Sequence, residues 1–231
     1  MPHVQYDGEM QRSIRPLPLI ARLPYIVLAI VHVTALAVQS PLAGPTKLTL
    51  MPLLALPVIL AAPRLRPRVT IALLLAALLF SWLGDGAGTF FPDGPELPLM
   101  LLFFGIAHIA YIALFMKYTK RRRLPWWTLI YLAWWIGMLS FLGPHVGGLF
   151  FAVAGYGLVL AGTAATSARC NPIIAVGGAF FLMSDSILAF RLFLPSAMPE
   201  WTSPAVMLTY TLGQGLIIAG ALRALQKSDA R

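Results

Sequence analysis

Residues 124–168 read LPWWTLIYLAWWIGMLSFLGPHVGGLFFAVAGYGLVLAGTAATSA, and none of these 45 residues is Asp, Glu, Lys or Arg. A helix needs about 20 apolar residues to cross a bilayer, so the stretch has room for two. Gly143-Pro144-His145, near its middle, is the expected turn, because Pro ends a helix and Gly permits a reversal. The pattern continues on both sides. No charge falls between Arg22 and Lys47, Lys47 and Arg64, Arg68 and Asp85, Glu96 and Lys117, or Glu200 and Arg223. Between Arg169 and Arg191 the only charge is Asp185. The expected fold is all-α: a polytopic membrane protein with a bundle of eight transmembrane helices. They are placed at 23–41, 46–63, 69–85, 97–117, 125–142, 146–165, 172–193 and 203–223. Pro52 and Pro57 are expected to bend the second.

Composition agrees. Of 231 residues, 59% are hydrophobic and 11% charged, with a mean hydropathy of +0.80. A soluble domain carries roughly 25% charged residues, so this chain cannot clothe a water-soluble globule. The expected organisation is an N-terminal segment (1–22), a membrane domain (23–223) and a short tail (224–231). A single cysteine, Cys170, excludes an internal disulfide framework and a Cys-based zinc site.

The net charge of +9 reads as basic loops on the cytoplasmic side rather than as nucleic-acid binding. With a cytoplasmic N-terminus, 15 of the 17 Lys and Arg residues fall inside, and only Lys47 and Arg191 fall outside. Both termini are therefore expected in the cytoplasm. Richness in Ala, Leu and Arg, with compact loops, points to a bacterial inner membrane.

Two acids stand where charge is costly. An Asp at a helix centre costs roughly 2.5–3.5 kcal/mol on insertion scales, and such residues face the bundle interior and often mark function. Asp85 ends Phe80-Ser81-Trp82-Leu83-Gly84-Asp85, and Asp185 lies inside Phe181-Leu182-Met183-Ser184-Asp185-Ser186. Asp85 has two readings, an acid wetted at the interface or a functional group. Asp185 has no basic residue within a turn, which favours function. His108 and Tyr111 share a face, as do Tyr210 and Gln214, and Ser81 sits four before Asp85. Each alone reads as an interhelical hydrogen bond, but together they gather polarity at one depth. Lys47 either binds a lipid phosphate or snorkels to the interface. His32 reads as structural. Gly84-Asp85-Gly86-Ala87-Gly88 follows a membrane helix rather than a strand, so it is a packing or turn element and not a nucleotide loop. The chain has neither a Gly-x-Ser-x-Gly elbow nor a His-Glu-x-x-His motif.

In order along the chain, Lys47, Phe80–Asp85, Phe104–Tyr111, Gly178–Ala189 and Thr209–Gln214 resemble the YhhN family of membrane proteins, which includes the lysoplasmalogenases. Tyr156 fits the pattern too. The chain departs from it in having no Met after Tyr156 and in having Gly213, where the family tends to have Ala. The resemblance implies hydrolysis of the vinyl ether of a lysoplasmalogen, a lysophospholipid held within the membrane. The products are a fatty aldehyde and glycerophosphoethanolamine or glycerophosphocholine.

A vinyl ether resists nucleophiles but becomes labile once its β-carbon is protonated. That chemistry needs an acid, and a carboxylate to steady the oxocarbenium ion and activate water, as in the paired carboxyls of glycosidases. Asp85 and Asp185 are the expected pair, with Asp185 the acid and Asp85 the base. Lys47, Ser81, His108, Tyr111, Tyr156, Ser184, Tyr210 and Gln214 are the expected binding and orienting groups. No metal or cofactor is expected. A proton-coupled transporter using Asp85, Asp185 and His108 is the alternative. A zinc hydrolase using His108, His145 and an Asp lacks a recognisable ligand spacing.

Overall fold

The computed structural model describes residues 19–117 and 123–229. Most of the expected N-terminal segment, most of the Arg121-Arg122-Arg123 run and the last two residues lie outside the described residues. Nine α-helices form within them. They are α1 (Leu23–Ala37), α2 (Ala43–Ala61), α3 (Arg68–Asp85), α4 (Ala87–Phe90), α5 (Glu96–Lys117), α6 (Leu129–Val146), α7 (Phe150–Ser167), α8 (Pro172–Phe193) and α9 (Thr202–Asp229).

The expected count of eight spans is corrected to six. Six helical stretches are long and apolar enough to cross a membrane. Helix α1 has 15 residues, below the roughly 17 a span requires. It stops at Ala37 rather than 41 because Gln39 adopts a left-handed φ of 52°. The apolar helical stretch Trp126–Ser167, 42 residues that hold α6, the turn at Gly147 and α7, enters that count once. Charge-free lengths measure the distance between charges, not the length of a span. The reversal in that run also lies later than expected. Helix α6 continues through Pro144, and the chain turns at Gly147, whose φ of +60° a side chain would disfavour.

Many large apolar side chains face outward, among them Ile30, Leu60, Ile130 and Phe151. This is the surface lipid requires, and the chain is a multi-pass membrane protein. Helix α9 is the exception. In its spanning window 67% of residues are buried, against 39% or less in the other five. It packs on α1, α2 and α8. That wrapping explains how one helix carries Thr209, Tyr210, Thr211 and Gln214, none of which is left facing lipid.

Small residues set the closest contact. Where α8 crosses α9, a Cβ on Gly177 would lie 2.8 Å from the Ile217 backbone nitrogen, and one on Gly213 would lie 2.8 Å from that of Phe181. Helix association in lipid depends on such packing, because lipid tails are as apolar as leucine. The start of α8 is fixed by Asn171. Its Oδ1 accepts from the Ile174 amide at 3.1 Å, and its Nδ2 donates to the Gly220 carbonyl of α9 at 2.9 Å.

Helix α2 runs through Pro52 and Pro57 as one helix. A proline has no N–H for the carbonyl four residues before it, so Leu48 loses its in-helix partner to Pro52. Trp82 of α3 supplies one, with Nε1 donating to the Leu48 carbonyl at 2.8 Å. This bond ties the turn after Lys47 to the turn before Asp85. The segment read as a packing or turn element is divided between helices: Gly84 and Asp85 end α3, and Ala87 and Gly88 begin α4. Within it the glycine before Asp85 leaves room for Phe104, since a Cβ on Gly84 would lie 2.6 Å from that ring.

Candidate functional site

Asp85 and Asp185 do not sit on helices in extensive contact, yet both open onto one cavity of about 360 Å³. Its polar lining includes Lys47, Tyr156, Ser184 and Tyr210, and its walls are apolar, with Leu97, Met100, Phe104 and Val206 among them.

Each acid has its own tyrosine. Tyr210 donates to Asp85 Oδ2 at 2.7 Å, and Tyr156 donates to Asp185 Oδ2. Beyond that the surroundings differ. Lys47 Nζ stands 3.8 Å from Asp85 Oδ1, with its side chain 38% exposed and that of Asp85 5% exposed. Asp185 faces His108 instead, with Nε2 at 4.0 Å from Oδ2 and 3.4 Å from the Tyr156 hydroxyl. Asp85 thus has a cation beside it, and Asp185 has an imidazole and a phenol.

The tautomer of His108 follows from its other nitrogen. Nδ1 lies 3.1 Å from Thr163 Oγ1. That hydroxyl has the Val159 carbonyl at 3.0 Å and the His108 carbonyl at 3.4 Å as acceptors, and with its proton on either it accepts from Nδ1–H. Nε2 is then a bare acceptor turned toward Asp185 and Tyr156.

Behind Tyr210 lies a second layer. Tyr111 donates to Gln214 Oε1 at 2.5 Å, and Gln214 Nε2 donates to Ser81 Oγ at 2.9 Å and to the Tyr210 hydroxyl at 3.5 Å. Ser81, Tyr111, His108 and Gln214 are fully buried and do not line the cavity. They hold the groups that do. Ser184 lines it, but its hydroxyl is spent on the Val206 carbonyl at 3.0 Å. Phe104, Phe181 and Tyr210 meet edge to face with centroids 5.4–6.4 Å apart, and Phe181 also contacts the His108 ring at 4.6 Å. This aromatic group joins the Asp85 side to the Asp185 side.

All the expected site residues therefore fall into one region, in two layers. Three further residues belong with them. Thr163 fixes His108. It is seven residues after Tyr156 and shares its helix face, a spacing that signals the link. Arg191 lines the cavity, where it donates to Thr202 Oγ1 at 2.5 Å and to the Pro199 carbonyl at 3.3 Å. His32, read from sequence as structural, also lines it. A smaller apolar chamber of about 60 Å³ shares Tyr156 and Asp185 with the main cavity and runs between Trp134, Trp135, Met138 and Leu142. Among the described residues no group of three His, Cys, Asp or Glu side chains is placed to hold a metal ion.

An apolar-walled cavity with two carboxyls on it, inside a multi-pass helical bundle, defines a membrane-embedded protein with buried acids facing one internal space. The family is specific: the profile of the YhhN family matches residues 42–221, and the chain belongs to that family. No curated protein and no solved structure matches it.

Proposed function

We propose that this protein is an intramembrane hydrolase that cleaves the vinyl ether of lysoplasmalogens. The observation that carries the reading is the unequal pair of carboxyls on one cavity. Asp185, flanked by Tyr156 and His108, delivers a proton to the β-carbon of the vinyl ether. The α-carbon becomes an oxocarbenium centre. Asp85, held as a carboxylate by Lys47 and Tyr210, takes a proton from water as that water adds to the α-carbon. The resulting hemiacetal collapses to a fatty aldehyde and the glycerol alcohol. The proton taken by Asp85 balances the one given by Asp185, and exchange through water resets the pair.

Lys47 suits the phosphate of the head group, and the apolar walls and side chamber suit the chain. Richness in Ala, Leu and Arg, with compact loops, supports placing it in a bacterial inner membrane. The test is aldehyde release by purified protein given a lysoplasmalogen in detergent micelles. Release separates a hydrolase from a proton-coupled transporter with the same buried acids. No aldehyde above the rate of a no-protein control ends the proposal.

A further inference from the structure

His32 and His108 are held by the same device. His32 Nδ1 lies 2.9 Å from Thr46 Oγ1. The Thr46 hydroxyl donates to the Leu42 carbonyl one turn back, at 2.6 Å, so it accepts from Nδ1–H and leaves Nε2 as a bare lone pair. At His108 that lone pair meets Asp185 and Tyr156. At His32 it meets nothing: Nε2 is buried and has no hydrogen-bond partner among the described residues. His32 is 1% exposed and lines the cavity. Gly44, another lining residue, is exposed, and a Cβ there would meet no atom within 4 Å, so the cavity wall is open at Gly44. A buried acceptor without a donor carries a desolvation penalty that a ligand donor relieves.

The bond to Thr46 sets His32 beside the residue that precedes Lys47, the group suited to a phosphate. A ligand whose phosphate reaches Lys47 therefore places its glycerol near His32. In a choline lysolipid the phosphate and ether oxygens are acceptors and the quaternary ammonium has no N–H. The single donor is the free hydroxyl of the glycerol. We propose that His32 Nε2 accepts that hydroxyl and makes the cavity selective for lipids with one chain. A second acyl group on the same oxygen removes the proton and fills the space beside Gly44. This inference rests on the reading of the substrate as a lysolipid.

The test uses binding, so that it does not depend on turnover. The probe is a saturated alkyl ether lysophosphocholine, which vinyl ether chemistry cannot cleave. It is compared with a counterpart in which hydrogen replaces the free hydroxyl, by titration calorimetry on the full chain. The wild type is expected to bind the hydroxyl form about tenfold or more tightly than the deoxy form. His32→Phe keeps the ring's bulk and is expected to bind both alike, while His32→Gln, with a carbonyl acceptor, restores part of the preference. Equal binding of the two probes by the wild type, binding of neither, or a preference that persists in a folded His32→Phe protein each overturns the inference. The wild-type comparison decides even where the variant does not fold. A preference seen in a protein that releases no aldehyde leaves the His32 contact standing and ends the hydrolase reading. Aldehyde release without a preference does the reverse.

Discussion

His108 turns its unprotonated Nε2 toward Asp185, 4.0 Å from Oδ2, while the Tyr156 hydroxyl donates to that same oxygen. A carboxyl in this setting has a neutral base and a neutral donor for company. Asp85, with Lys47 at 3.8 Å, has a cation. The two acids are chemically distinct before any substrate arrives.

Asp85→Asn and Asp185→Asn are each expected to lower aldehyde release by at least about a hundredfold, since general acid–base assistance is worth roughly 10²–10⁴. Asn matches Asp in volume and carries no charge, so both variants should still insert and fold. Initial rates on detergent-solubilised protein of matched melting temperature check this. Near wild-type turnover by folded Asp185→Asn ends the two-acid mechanism.

Thr163→Val leaves the carboxyl intact and takes away the acceptor that orients His108. The imidazole is then free to flip or change tautomer. The expected result is a fall in kcat of about tenfold with KM little changed, because the loss lies in positioning rather than in binding. A KM effect of equal size would show that the threonine shapes the cavity instead.

Lys47→Ala is expected to raise KM more than it lowers kcat, because contact with a phosphate persists through the reaction. Steady-state kinetics at varied lysolipid fraction in mixed micelles separates the two. A variant that loses kcat alone would place Lys47 with Asp85 rather than with the head group.

Gly177→Ala and Gly213→Ala each drive a methyl to 2.8 Å from backbone of the neighbouring helix. Overpacking of this kind costs about 1–3 kcal/mol, and backbone cannot rotate aside as a side chain can. Both variants should melt earlier in detergent, and the pair together should cost less than the sum, because one shift of α9 relieves both contacts. Unchanged melting would mean the helices separate freely.

Much of this arrangement is legible in the sequence, and the reasons are physical. Charges are excluded from lipid, so their gaps mark the apolar segments, and an acid such as Asp185 stands out against them. The number of spans was not legible. Gln39 ends α1 by a backbone angle, and Pro144 is absorbed into α6, neither of which hydropathy records. The roles of Thr163 and His32 were hidden for a different reason. A threonine in an apolar helix looks inert until the acceptor of its own proton is known, and only then does its partner's tautomer follow. Nor does spacing along α3 and α8 reveal that their acids share a cavity, since α5 and α9 do the work of bringing them there.

The bond from Trp82 to the Leu48 carbonyl has a consequence for how this chain can drift over generations. The indole replaces a donor that Pro52 took away, so what position 82 tolerates depends on position 52. A change that restores an amide at 52 gives that oxygen a second donor, which its second lone pair can take. A change that removes the indole strands that oxygen in an apolar wall. Loss of the indole while Pro52 stays is the damaging step, because it also removes the tie between the helix ends that carry Lys47 and Asp85. Trp82 should therefore vary only where position 52 is no longer proline, while position 52 is free to change with Trp82 in place.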